Sequence, residues 1–278
     1  MRRNPTGTPR GNDFRGLRRA AVAAILLTAL TTGASAAELS RDALTLLVAE
    51  STGTEPADLT ERDLAGLDLS GFDFKQADLS GVDLSGADLS GANLQGAVLK
   101  GAKLPGAKLK GAILDLAILR GADLAGADLT EVSAFSTVLA ESNLEKADLS
   151  GARLICNLDY ANLEGARLEG AIMAADMKNQ PMGLMRVSLK KASLKGANLK
   201  GADLARGYLE FADFTDADLT GANLMRVEAA GADFSGADLS GVNLGKADIN
   251  GARFNGIKGR DEIIDLDTAK NLRAARFD

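Results

Sequence analysis

The chain has 278 residues, with 32 Lys and Arg against 38 Asp and Glu, no His, no Trp and one Cys. Without His there is no imidazole acid/base catalysis, no Ser–His or Cys–His nucleophile and no commonest zinc ligand, and the lone Cys156 allows no internal disulfide. A formal charge of −6 disfavours a nucleic-acid ligand, because neutralising phosphates takes basic surface.

The first segment differs from everything after it. Residues 1–36 carry six Arg and one Asp, an apolar run over residues 20–32, and the small-x-small triplet Ala34-Ser35-Ala36. This is the pattern of a signal peptide, and its apolar run is shorter than the roughly 20 residues of a comfortable membrane span. Arg18-Arg19 resembles a twin-arginine export signal, although Ala20 and Ala21 stand where a strong apolar pair would. No Cys lies near the processing site to take a lipid anchor. Removing this segment takes away a net +5, so the formal charge goes from −6 to −11 and the mature chain is acidic. Residues 37–56 predict a capping helix and linker: Ser40 can cap a turn whose Leu44, Leu47 and Val48 fall at i, i+3 and i+4.

Residues 57–256 repeat one five-residue phrase, complete at Ala87-Asp88-Leu89-Ser90-Gly91 and again at Ala237-Asp238-Leu239-Ser240-Gly241. In an α-helix a five-residue step turns the side chain by about 140° net, so the leucines would spiral over every face. In a straight strand, positions five apart point to opposite faces. What fits is a short extended piece with Ala and Leu inward and Asp outward, followed by a corner at Gly. Phe214, Phe234 and Phe254 are central residues 20 apart, and Val98, Ile118 and Val138 repeat that interval one position earlier. Twenty residues are four pentads, hence a four-sided coil.

The phrase resembles the pentapeptide-repeat family, whose pattern is A(D/N)LXX. That resemblance implies an all-β fold, a right-handed quadrilateral parallel β-helix. About ten coils spaced about 4.8 Å apart predict a rod on the order of 50 Å long. Central residues run in register from Leu59 to Leu154, step by four to Leu158, and continue through Leu163, Leu168 and Met173. Register returns at Leu184 and holds to Phe254, so an irregular loop is predicted near 173–187. Over 257–278, Ile263, Ile264 and Leu266 leave the pentad phase while Leu272 and Phe277 are again five apart, which predicts a loop or short helix and a last partial coil.

Carboxylates are plentiful but sit at the repeated outward position, so they form ladders on every side and no convergent catalytic pair. A filled axis leaves no internal pocket. Stacked carboxylates alone lack the six to eight oxygens of a calcium site. No enzyme, cofactor or metal site is expected. Lys103 falls between Asp83 and Asp123, and Lys108 between Asp88 and Asp128, as charge-balancing rungs. Lys190, Lys191, Lys195 and Lys200 are expected to form a modest positive surface, and Cys156, at a position where Ala is usual, is expected to fill core.

Two features break the rule. Val98, Ile118 and Val138 place apolar side chains outward on consecutive coils, with Ile113 and Leu116 around the corner, a candidate interaction face. Met173, Met177, Met182 and Met185 cluster at the phase break, a candidate loop contact. The leading reading is a non-enzymatic exported scaffold that binds a protein partner or itself, in the periplasm or outside the cell, or in the thylakoid lumen of a photosynthetic source, with no stable membrane span in the mature chain. The resemblance supplies an alternative, since some cytosolic family members mimic B-form DNA and inhibit or protect gyrase. Soft-metal capture at the methionine loop, for example of Cu(I), is the third.

Overall fold

The computed structural model describes residues 41–49, 56–175 and 185–278. The export signal, Ser40, Met177, Met182 and Leu184 lie outside the described residues. Helix α1, Arg41–Ala49, buries Leu44 completely in the common core, while Leu47 and Val48 pack against it. Arg41 ties the helix to the first coil, donating to the carbonyls of Asp68 and Ser70 at 2.9 and 2.7 Å.

Parallel bridges then join each outward residue to the one 20 residues on: Asp58 to Asp78, Asp63 to Asp83, Asp68 to Asp88, Asp73 to Asn93. The chain is a right-handed four-sided β-helix, and these four ladders define sides 1, 2, 3 and 4 in that order. Each pentad spends its backbone groups in the same way. Leu89 N–H donates to the Lys108 carbonyl on the next coil at 2.6 Å, Asp88 N–H to Leu67 on the previous coil at 2.9 Å, and Gly91 N–H to Lys110 at 2.8 Å. Ala92 N–H closes the corner on the Leu89 carbonyl at 2.9 Å. The Ser90 N–H is left over, and Asp88 Oδ1 accepts it at 3.0 Å. Asp or Asn at the outward position therefore satisfies a donor that the coil-to-coil ladder does not use.

The inward pair fills the axis: Ala87 and Leu89 are fully buried, as are their equivalents in most coils. Phe214, Phe234, Phe254 and Phe277 stack with ring centroids 5.0, 5.0 and 4.7 Å apart, which sets the coil pitch in this half of the rod. Corner residues are left-handed, as at Gly91 with φ 64°. A residue with a Cβ is strained there by about 1–2 kcal/mol, so Gly is favoured.

Both phase breaks fall at one corner, between sides 4 and 1, on successive coils. Arg153 pairs with Ile172 on side 4 and Val138 with Asn157 on side 1, so the first crossing takes four residues instead of five. Ile172 then pairs with Asp203 and Asn157 with Ser188, so the next crossing runs from 172 to 188. The chain leaves the ladder on side 4 and rejoins it on side 1, where the coil resumes with Val187 and Leu189 in the core.

In the tail, where a loop or short helix and a last partial coil are expected, short helical turns are built into the corners of a continuing coil. Ladder residues continue as Lys258, Ile264, Lys270 and Arg276, so the step lengthens from five to six and the coil continues. The extra residue at each corner is taken up by a 3-10 turn at Arg260–Glu262, Leu266–Thr268 and Leu272–Ala274. Leu272 is in such a turn and Phe277 is in the ladder strand Arg276–Phe277, so their five-residue spacing is not a pentad.

Candidate interaction edge

The corner between sides 2 and 3 is built almost wholly of glycine: Gly66, Gly86, Gly106, Gly126, Gly165, Gly196, Gly236 and Gly256 all have positive φ there. The corner between sides 4 and 1 is different. Apart from Gly96, it carries Gln76, Leu116 and Ser136 before the phase breaks and Arg206, Arg226 and Lys246 after them, with φ between 55° and 67°. Side chains are kept at these positions despite the backbone strain a Cβ meets.

Along side 1 in the first half, Val98 bridges Ile118 and Ile118 bridges Val138, all half-buried. Ile113, on side 4, is 41% exposed and Leu116, on the corner, 55%. The five residues lie along side 1, on its corner with side 4 and on side 4. Each apolar rung forgoes the acceptor that Asp supplies, and among the described residues the N–H groups of Lys100, Arg120 and Ala140 find no protein acceptor. An outward Val or Ile is therefore not what the fold prefers. The other margin of side 1 carries exposed Tyr160 and Phe211.

The stripe runs into an open groove of about 510 Å³ lined by Val138, Ile155, Cys156, Met185, Arg186, Lys190 and Tyr208 among others. Tyr208 lies between two cations, with Arg186 3.9 Å and Lys190 4.5 Å from the ring centroid. Lys190 pairs with Glu210 at 2.9 Å and Arg186 with Glu228 at 3.2 Å. The Glu210 hydrogen bond raises the Lys190 pKa, keeping the ammonium charged. Burial pushes the Cys156 thiol up to about 12, so it is neutral core filler without thiolate reactivity.

Of the methionine cluster, Met173 and Met185 are among the described residues. Met173 is 0% exposed, because it is the inward residue after rung Ile172, with its N–H bound to the Asp203 carbonyl at 2.8 Å. It is core and not a loop contact. Met185 is exposed beside the groove. Among the described residues no cluster of His, Cys, Asp and Glu could hold a metal ion.

Lys103 and Lys108 are charge-balancing rungs, 3.9 Å from Asp83 and 3.7 Å from Asp88. The expected surface of Lys190, Lys191, Lys195 and Lys200 is not one patch. They belong to one coil and follow its sides around: Lys190 pairs with Glu210, Lys191 lies over Tyr160, and Lys195 pairs with Asp213. The positive feature that sequence reading missed is the column Arg186, Arg206, Arg226 and Lys246, one per coil along the corner between sides 4 and 1. The interval of 20 that aligned the phenylalanines also aligns these four.

The repeated ladder, filled axis and protruding edge define a solenoid of the quadrilateral β-helix class. The chain belongs to the pentapeptide repeat family: the family model for pentapeptide repeats matches in eight copies over residues 57–96, 92–131, 117–154, 192–228 and 217–256. Among solved structures it is similar to HetL, a pentapeptide repeat protein involved in heterocyst differentiation regulation from the cyanobacterium Nostoc sp. strain PCC 7120, at 35% identity over 79% of this chain and 86% of that one, TM-score 0.35. A pentapeptide repeat protein from the thylakoid lumen of Arabidopsis thaliana is 34% identical over 42% of this chain and 71% of its own, TM-score 0.27. QnrB1, a plasmid-mediated fluoroquinolone resistance protein, is 16% identical over 80% and 89%, TM-score 0.38. A comparison with curated protein sequences finds no match. Among the described residues no helix is long and apolar enough to cross a membrane.

Proposed function

We propose that this protein is a non-enzymatic, exported scaffold that engages a protein, or a second copy of itself, along side 1 and its corner with side 4. The observation that carries this reading is the apolar column Val98, Ile118 and Val138, where three successive coils stack Val or Ile at the outward position that most often holds Asp or Asn. Apolar surface held at a cost to local hydrogen bonding fits a contact face. Export rests on the charged start, apolar run and Ala34-Ser35-Ala36. The DNA-mimic alternative is weakened by the Lys103 and Lys108 rungs in the acidic ladders and by the cations on this edge. Metal capture is weakened by the burial of Met173.

The triple change Val98→Thr, Ile118→Thr and Val138→Thr keeps β-propensity and should keep the circular dichroism spectrum, while weakening self-association in sedimentation or capture of a partner from the exported fraction. Parental behaviour in both assays refutes the contact face. Amino-terminal sequencing should find a mature start near Ala37, and an intact Met1 on cytosolic protein refutes export.

A further inference from the structure

The cations along the edge in the second half are placed as the fold alone does not ask. Arg206, Arg226 and Lys246 occupy successive corners with φ of 67°, 59° and 59°, where glycine would relieve strain. They repeat at the coil pitch that the phenylalanine stack measures, 5.0 Å, and like charges stacked in register repel one another. Several basic rungs elsewhere are balanced by a carboxylate on an adjacent coil, as Lys108 is by Asp88 at 3.7 Å, Arg167 by Asp148 at 3.5 Å and Arg253 by Asp233 at 2.8 Å. Among the described residues, Arg206, Arg226 and Lys246 enter no ion pair. They line one wall of an open groove of about 480 Å³ with Lys270, Ala230 and the carboxylates Glu210, Glu228 and Asp248. Glu210 is paired with Lys190 and Glu228 with Arg186, while Asp248 accepts from the Asn271 amide at 2.8 Å and keeps its charge, so cations still outnumber carboxylates in the groove.

The pitch selects the ligand. Positions i, i+3, i+7 and i+10 of an α-helix lie on one stripe and rise by about 4.5, 6.0 and 4.5 Å, a mean of about 5 Å. That keeps step with the cation column over its whole length. Alternate side chains of an extended strand recur at about 6.8 Å and lose register within two coils. We propose that this half of the edge docks an α-helix of a partner protein through acidic residues at i, i+3, i+7 and i+10, with the helix axis parallel to the rod. The proposal rests on the reading of this edge as a protein contact and adds the kind of partner it takes.

The test uses the full mature chain and two labelled helical peptides of identical composition, one with four Glu on a single stripe and one with the four Glu spread around the helix. The striped peptide should bind at least tenfold more tightly, with affinity falling as salt rises. The triple variant Arg206→Gln, Arg226→Gln and Lys246→Gln should cost at least tenfold in that affinity. Gln is compatible with the corner, since Gln76 occupies the same slot at φ 61°. Equal binding of both peptides, unchanged binding by the triple variant, or tighter binding of a single-stranded oligonucleotide than of the striped peptide each overturns the proposal. Sedimentation of the apolar-stripe variant separates the two readings. A lost peptide site with an active stripe sinks only the helix proposal, whereas a working peptide site with an inert stripe moves the contact to the cationic half.

Discussion

The corners between sides 2 and 3 and between sides 4 and 1 hang on the same core and carry different chemistry. The first is glycine except at Lys146 and Asp216, most of its glycines have nothing within 4 Å of where a Cβ would stand, and it reads as backbone turning with little strain. The second carries Leu116, Arg206, Arg226 and Lys246 in the same left-handed conformation and takes both breaks in the repeat. One edge is nearly all backbone turn, and the other keeps side chains in the same strained conformation. Because every coil bonds only to its neighbours, a corner can lengthen or shorten without disturbing the three other sides.

The largest expected effect tests the core on which both edges depend. Leu89→Asp puts an unpaired carboxylate into the axis and should cost several kcal/mol, abolishing cooperative unfolding of the adjoining coils, while Asp88→Ser should cost about 1 kcal/mol or less. Thermal unfolding monitored by circular dichroism compares them, and equal effects would reverse the inward and outward assignment.

A smaller effect is expected at the inner side of the unusual edge. Val187 fills a slot on side 1 that is usually Ala, and Gly207 lies below it. A Cβ on Gly207 would meet Val187 Cγ1 at 2.9 Å and the Leu204 carbonyl at 3.0 Å. Gly207→Ala should therefore destabilise by about 1–3 kcal/mol in urea unfolding, and Val187→Ala in the same chain should recover part of that loss.

The corners themselves should respond in opposite senses. Leu116→Gly relieves a left-handed residue at φ 63° and should stabilise by about 1 kcal/mol, whereas Gly126→Leu, at the same φ on the glycine corner with open space around it, should destabilise by a similar amount. A destabilised Leu116→Gly would show that this side chain serves the fold, and the contrast between the edges would lose its meaning.

The smallest effect is spread over both halves. The Ser85 hydroxyl and N–H, at 2.6 and 3.0 Å, hold the Asp83 carboxyl below its ordinary value, and Ser90 and Ser240 do the same for Asp88 and Asp238. A depressed folded pKa means stability is fully present above the unfolded value of 3.8 and is lost as pH falls below it through the folded value. Urea midpoints should be flat from pH 7 to about pH 5 and fall on further acidification, and Ser85→Ala should shrink the acid-sensitive part. An unchanged midpoint at acid pH contradicts the carboxylate ladders.

Much of this was legible along the chain. The inward pair, the outward Asp and the Gly corner follow from a period that neither helix nor strand can satisfy, and Phe214, Phe234 and Phe254 give four sides per coil without any coordinates. Leu44, Leu47 and Val48 announce the cap by their spacing, and the helix places them on the core. Phe277 was less visible as the fourth ring of the stack, because the tail steps by six and 3-10 turns absorb the difference.

What the sequence by itself determined is local: which residue of each pentad faces in, which faces out, and which turns the chain, since these depend on side-chain chemistry and φ within five residues. It returns the repeat to register at Leu184 but leaves open which side of the rod the next pentad occupies. Two added pentads with one spare residue would turn every later side halfway around the rod, and a loop at one corner turns none. The tertiary structure decided that no side turns, through Asn157 bridging Ser188 and Ile172 bridging Asp203. Coil-to-coil hydrogen bonds set which side a residue occupies, and they join groups 20 or more residues apart. For that reason only the closed ladder brings the apolar rungs, both breaks and the cation column to one edge.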